Sequence, residues 1–148
     1  MQALNLPTYN FRIKCTKNKY VIFDIIRKKY MVLTPEEWVR QHIIHFLIEE
    51  KKYPISLISV EKKLTINNLT KRTDILVFNK VGLIEIIVEC KAPTVSINQD
   101  TFDQIARYNL KLKSNYLFVT NGLTHFYCSM DFKNEQYVFL DNIPNYNF

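Results

Sequence analysis

Glycine is almost missing from this chain: Gly82 and Gly122 are the only two in 148 residues. A GxxxxGK or GxGxxG loop needs more, because backbone can approach a phosphate closely only where there is no Cβ. Both glycines also fall at predicted turns, so a P-loop ATPase site and a dinucleotide site are excluded. Cysteine is scarce too. Cys15, Cys90 and Cys128 are odd in number, far apart and without CxxC or zinc-type spacing, which argues against disulfides and structural zinc and fits a reducing compartment. No run reaches the 18 or so apolar residues of a membrane span. The opening MQALNLPTYNFRIK has no basic start, apolar run and small-residue cleavage site of a secretory signal. Together these absences predict a soluble, cytoplasmic protein with no membrane partner. Internal repeats, low-complexity tracts and linkers are absent as well, so residues 1–148 are expected to form one domain.

What is present is a composition able to build a core: 47% hydrophobic and 14% aromatic residues, with a net charge of +6. A basic balance favours an anionic partner, nucleic acid above all, through phosphate neutralisation. It also fits a plain solvated surface. No helix-turn-helix or zinc finger is visible, so any nucleic acid is expected to be gripped through its phosphates.

Residues 11–16 and 20–26 read as a β-hairpin around the polar turn KNK. IRKKYMV after it reads as a hairpin edge with its lysines facing water. The segment LTPEEWVRQHIIHFLIEEKKYP then opens like a helix, with Thr34 as N-cap, Pro35 at the first position and Glu37 completing a capping box, and should stop near Lys52. ISLISVEKKLTI alternates like a single strand. Strands over 74–79 and 83–92 should turn around Lys80-Val81-Gly82, and residues 99–113 place Phe102, Ile105, Ala106, Leu110 and Leu112 at helical spacing. NYLFVTNG, THFYCSM and QYVFL close the chain as strands. The predicted class is α/β (α+β), a central mixed β-sheet flanked by helices, with an N-terminal hairpin over 11–26 and a core from about 34 to 144.

The stretch RTDILVFNKVGLIEIIVECKAP sets Asp74, Glu89 and Lys91 at the ends of two very apolar strands. Buried charges without partners cost several kcal/mol, so such groups should be paired, solvated or bound to a cation. Glu89 and Lys91 leave one sheet face, being two residues apart on a strand. If Phe78 pairs with Leu83, Asp74 lies opposite Ile87 and diagonal to Glu89, on that same face. Two converging carboxylates suit a hard divalent cation such as Mg²⁺, and a lysine beside them can hold a phosphate oxygen or a water as a point charge. Metal-assisted phosphodiester hydrolysis is the reaction such a set performs. A partly buried ion-pair cluster at a sheet end uses the same residues, and spacing alone leaves both readings open. Glu61 and Lys63 form a competing pair.

Asp74 followed by Glu89-Cys90-Lys91 resembles the PD-(D/E)xK nuclease signature, with Thr73 where that signature has proline. QIARY, with Gln104 and Tyr108, resembles the QxxxY element of one branch of that superfamily. The wider set TPEEWVRQ, KRTDILVFN, IVECKAP, FDQIARYN and YLFVTNGLTHFYC resembles the N-terminal nuclease domain of type I restriction enzyme R subunits, from about Asn5 to Pro144. The resemblance implies a restriction-endonuclease-like core acting on DNA. Asp74 and Glu89 would be metal ligands, assisted by the Cys90 backbone carbonyl, and Lys91 would orient or activate water. Gln104 and Tyr108 would bear on that lysine or on DNA phosphates. The family's first helix often adds an acid, for which Glu37 is the first candidate and Glu61 a weaker second. Mg²⁺, or Mn²⁺ in its place, is the implied cofactor. No P-loop is present, so the chain is expected either to act as a free-standing nuclease or to work with a motor or specificity subunit supplied by another chain. The alternative is a catalytically silent nucleic-acid-binding or protein-interaction module on the same fold. His42, His45 and His125 read as ordinary helix and strand-edge residues, Cys90 and Trp38 as core.

Overall fold

The computed structural model describes residues 1–147. Three antiparallel strands, β1 (Ile13–Thr16), β2 (Lys19–Asp24) and β3 (Lys29–Val32), make an N-terminal sheet. The predicted hairpin over 11–26 is thus two strands of three, and IRKKYMV supplies the third.

Helix α1 (Pro35–His45) starts where its signals place it: the Glu37 backbone N–H donates to Thr34 Oγ1 at 3.0 Å. The Glu37 side chain does not complete the capping box. It is buried and bonds to Arg27, Arg40 and Gln41. Val39, Ile43, Ile44 and Leu47 line the inner face with no exposure, each contributing about 1.5–3 kcal/mol by leaving water. A π-helical turn over Phe46–Glu50 and a left-handed Lys52 (φ 66°) end the segment before Pro54. Trp38 is half-buried, not core, and its indole N–H donates to the Gln2 carbonyl at 2.7 Å.

Next come β4 (Ile58–Val60), β5 (Lys63–Ile66) and β6 (Leu69–Arg72). The single strand expected over 55–66 is broken at Glu61, whose φ of 53° lies in the left-handed region. β4 joins the main sheet, while β5 and β6 form a separate two-stranded hairpin. The rest is β7 (Ile75–Phe78), β8 (Ile84–Cys90), α2 (Gln99–Leu110), β9 (Tyr116–Thr120), β10 (His125–Asp131) and β11 (Gln136–Leu140).

The central sheet has six strands in the order β11-β10-β9-β8-β7-β4, with β8 and β9 parallel and every other pair antiparallel. It is therefore mixed, and the protein is α+β. Alternation along the strands divides the core in two. Ile75, Val77, Ile86, Val88, Cys90 and Phe118 pack with α1; Leu76, Ile87, Leu117 and Val119 pack with Phe102 and Ala106 of α2. Among the described residues no helix is long and apolar enough to cross a membrane.

One register decides the site. Near the turn Phe78 pairs with Ile84, and a bulge at Val77/Phe78 then shifts the ladder so that Ile75 pairs with Val88. The ladder ends at that pair, and Asp74 stands one residue beyond it, joined to β8 by the bond its carboxylate accepts from the Cys90 backbone N–H. The expected register, with Phe78 opposite Leu83 and Asp74 opposite Ile87, is replaced by one in which Leu76 faces Ile87.

Candidate active site

Asp74 follows Thr73, which is fully buried and donates both its backbone N–H and its hydroxyl to the Lys62 carbonyl, each at 2.9 Å. A proline at this position has no N–H to give, so the departure from the signature is used to anchor the chain just before the acid. The Asp74 carboxylate then accepts from the backbone N–H of Cys90 at 2.9 Å through Oδ2 and from the Arg40 guanidinium at 2.8 Å through Oδ1. It stands at the end of the sheet, tied to both α1 and β8.

Glu89, only 8% exposed, leaves β8 on the α2 side and forms an ion pair with Lys71 of β6. Burial pushes the Glu89 carboxyl above its ordinary value. The Lys71 ammonium pulls against that, and the nearby Asp74 charge adds to it. Lys91 is half-buried, and its backbone N–H donates to the Thr120 carbonyl at 2.8 Å. Its charge is felt by both Glu89 and Glu36. Glu89 thus feels the charges of both Asp74 and Lys91.

The Lys71 ammonium also lies 4.6 Å from the centroid of the Tyr108 ring, a cation–π distance. Tyr108 is thereby joined to Glu89 through a residue absent from the predicted set. Gln104, one turn earlier on α2, is exposed, and among the described residues it has no hydrogen bond to Lys91 or to either carboxylate.

Behind Asp74 runs a lattice of buried charge. Arg40, 7% exposed at its side chain, bonds Glu37 at 2.8 Å and Glu36 at 3.0 Å as well as Asp74. Arg27 bonds Asp24 at 2.7 Å and Glu37 at 2.8 Å, and both arginines lie 3.4 Å from Glu61. Gln41 donates to Asp24 and Glu37 at 2.9 and 3.0 Å. Burial acts to raise Asp24, but the Arg27 backbone and side-chain bonds, with Gln41, hold it below the ordinary aspartate range. The two acids proposed to assist, Glu37 and Glu61, are thus occupied by arginines. The α1 carboxylate that shares the field of Asp74 and Lys91 is Glu36, one residue earlier and 48% exposed at its side chain. Burial and the Asp74 charge push its carboxyl up.

Could this set hold a cation? Among the described residues no three His, Cys, Asp or Glu side chains gather as a metal cluster. Mg²⁺ needs fewer, being held by one or two carboxylates with water and substrate oxygens completing its shell. Asp74 and Glu89 are the two carboxylates of this cluster, and each is paired with a cation, Arg40 and Lys71 respectively. Cys90 itself is a buried core thiol whose pKa burial pushes far up, so only its backbone is available to the site.

The model of the family described as type I restriction enzyme R protein N terminus matches residues 35–144. This chain belongs to that family. No curated protein matches it. Membership links the chain to type I restriction systems, and the matched span contains Asp74, Glu89, Lys91, Gln104 and Tyr108. Asp24 and Arg27 lie outside it, although they hold the restriction-family core's Glu37 and Gln41.

Arg40 and Lys71, the two counter-ions, are the residues that sequence reading missed. A signal for Arg40 was present: Glu37, Arg40, Gln41 and Ile44 recur at core spacing along α1, so charged residues occupy the buried stripe. Lys71 carried none, because β6 itself went unread. His42 packs among Phe11 and Trp38 and bonds the Trp38 carbonyl, and His125 bridges Thr120 and the Asn5 carbonyl. Both are structural.

Proposed function

We propose that this chain is a divalent-metal-dependent DNA endonuclease domain of the PD-(D/E)xK type, hydrolysing phosphodiester bonds as part of a type I restriction-modification system in the cytoplasm. The observation that supports the reading is the link between the ends of β7 and β8, where Asp74 accepts from the Cys90 backbone N–H and Glu89 and Lys91 stand on either side of that residue in the chain. Asp74, Glu89 and the Cys90 carbonyl would hold the ion. Mg²⁺, or Mn²⁺, supplies charge neutralisation at the phosphate and acidification of water when bound. Lys91 orients the attacking water or steadies a non-bridging phosphate oxygen as a point charge. Arg40 holds one oxygen of Asp74 in place, and the Cys90 N–H fixes the second. Lys71, on a flexible four-carbon stem, is able to exchange Glu89 for a substrate phosphate. DNA is the partner this reading requires, with the motor and specificity functions of a type I system supplied outside residues 1–148.

A second reading has its own support. Both carboxylates already have a cationic partner, which is the arrangement expected of a silent binding module on this fold. Cleavage of linear, supercoiled and single-stranded DNA with Mg²⁺ and then Mn²⁺ separates the two. The nuclease reading expects wild type to cut, Lys91→Ala to lose cutting, and Glu89→Ala to lose it while still binding DNA. A folded wild type that cuts none of these substrates with either metal, and none when the other subunits are added, rejects the nuclease in favour of the module.

A further inference from the structure

The β5–β6 hairpin has one polar and one half-buried face. Lys63, Thr65, Thr70 and Arg72 point to water, while Leu64, Ile66, Leu69 and Lys71 point inward, and Leu64 and Ile66 pack against the cluster that holds Phe102 and Ala106 of α2. The hairpin is thus seated beside α2. Between its tip and the end of that helix lies an open groove lined by Ile66, Asn67 and Leu69 on one side and by Arg107, Lys111 and Lys113 on the other. The charge there is one-sided: three cations face a single carboxylate, Glu135. Arg107, Lys111 and Lys113 are exposed, and none enters a salt bridge among the described residues.

The groove also has a direction. One turn of α2 back from its basic end stands Tyr108, and Lys71 of the hairpin spans from that ring to Glu89. Cations therefore continue from Lys113 to the carboxylates of the candidate active site. Aromatic rings, on which single strands stack, number two along it, Phe132 in the lining and Tyr108 beneath Lys71, fewer than its four cations. A rigid, regularly charged polyanion fits better.

We infer that the groove between the β5–β6 hairpin and the C-terminal end of α2 is the track for the phosphate backbone of duplex DNA leading to Glu89 and Lys91. The choice of ligand rests on the nuclease reading; the groove and its charge do not. Without a nucleic-acid partner, the lysines at the end of α2 serve only to offset the helix dipole, and that role predicts a stability effect with no change in binding.

The test is fluorescence anisotropy of a labelled 24-base-pair duplex, with metal chelated, across a range of NaCl concentrations. Each phosphate contact contributes about −0.9 to the slope of log K against log salt, so Arg107→Ala/Lys111→Ala/Lys113→Ala should flatten the slope by about 2.7 and weaken binding about 500-fold at 0.1 M salt. Lys14→Ala/Lys19→Ala/Lys29→Ala removes as many exposed cations from the N-terminal sheet and should leave the slope near that of wild type. Equal losses in both variants, tighter binding of the single strand than of the duplex, or a destabilised groove variant with an unchanged slope would each overturn the inference. Because metal is absent, the outcome is independent of cleavage. A protein that never cuts yet loses its slope with the groove cations keeps the track and loses the nuclease; one that cuts with an unchanged slope does the reverse.

Discussion

Arg40→Met removes the cation that secures Asp74 while keeping most of the apolar stem. Arg40 makes two 2.8 Å bonds, to the buried Glu37 and to the partly buried Asp74. Its contacts with the half-exposed Glu36 at 3.0 Å and with Glu61 at 3.4 Å are left out of the sum. A hydrogen bond to a charged partner contributes about 1.5–3 kcal/mol, so two give about 3–6 kcal/mol. Breaking one side of a buried ion pair independently costs about 3–5 kcal/mol, and we expect a loss near 4 kcal/mol, still within that range. The single tryptophan, Trp38, sits two residues away on the same helix and reports unfolding by its fluorescence in urea. With a slope of about 2 kcal/mol per molar urea, the midpoint should fall by about 2 M. Neutralising the stranded acids in the same chain, as Glu37→Gln with Asp74→Asn, should return part of the loss. A fall below about 1 kcal/mol, the value of a surface pair, refutes the account of Arg40 as the centre of a buried lattice.

Acid provides a second check. Asp24 is held below its ordinary pKa of 3.8, so its contribution to stability is fully present above that value and disappears as pH falls through the lower, folded one. The deficit of Asp24→Asn against wild type in urea melts should therefore be constant near neutrality and shrink below about pH 4; a deficit that grows on acidification contradicts the sign. The two glycines should respond unequally to alanine. Both have φ above 80°, which strains any Cβ by about 1–2 kcal/mol. At Gly122 the added carbon also lies 2.8 Å from Leu4 Cδ2 and 3.1 Å from Val39 Cγ2, whereas at Gly82 nothing is within 4 Å. Gly122→Ala should lower Tm more than Gly82→Ala, and the opposite order disproves the packing account.

Much of this architecture is legible because its causes are local. Thr34, Pro35 and the spacing of Val39, Ile43 and Ile44 specify α1 within a dozen residues, and the apolar runs of β7 and β8 place Asp74 and Glu89 at strand ends. The illegible parts arise where distant groups decide. A left-handed glutamate at position 61 splits an apparently continuous strand, and no residue-type preference announces it. The β5–β6 hairpin has a turn of two left-handed asparagines, Asn67 and Asn68. These are favoured turn residues, but the short flanking strands carry too little apolar contrast to stand out. Counter-ions are harder still: the pairing of Lys71 with Glu89, or of Arg27 with Glu37, is set by how the elements pack. The bulge at Val77/Phe78 moves the β7–β8 register by one residue between the turn and the strand ends, a step that no residue type announces.

The lattice that reaches from Asp24 through Arg27, Glu37 and Arg40 to Asp74 makes the working unit larger than the family boundary. An excised fragment beginning at residue 35 would leave Glu37 without Arg27 and Gln41 without Asp24, and would strip the hydrogen bonds that Gln2 and Asn5 make with Trp38, Gly122 and His125. The first 34 residues act as a brace. Shortening the chain to its recognisable core would release Glu37 from Arg27, and through Glu37 would loosen Arg40, the residue that bonds Asp74, with no change to any residue of the signature.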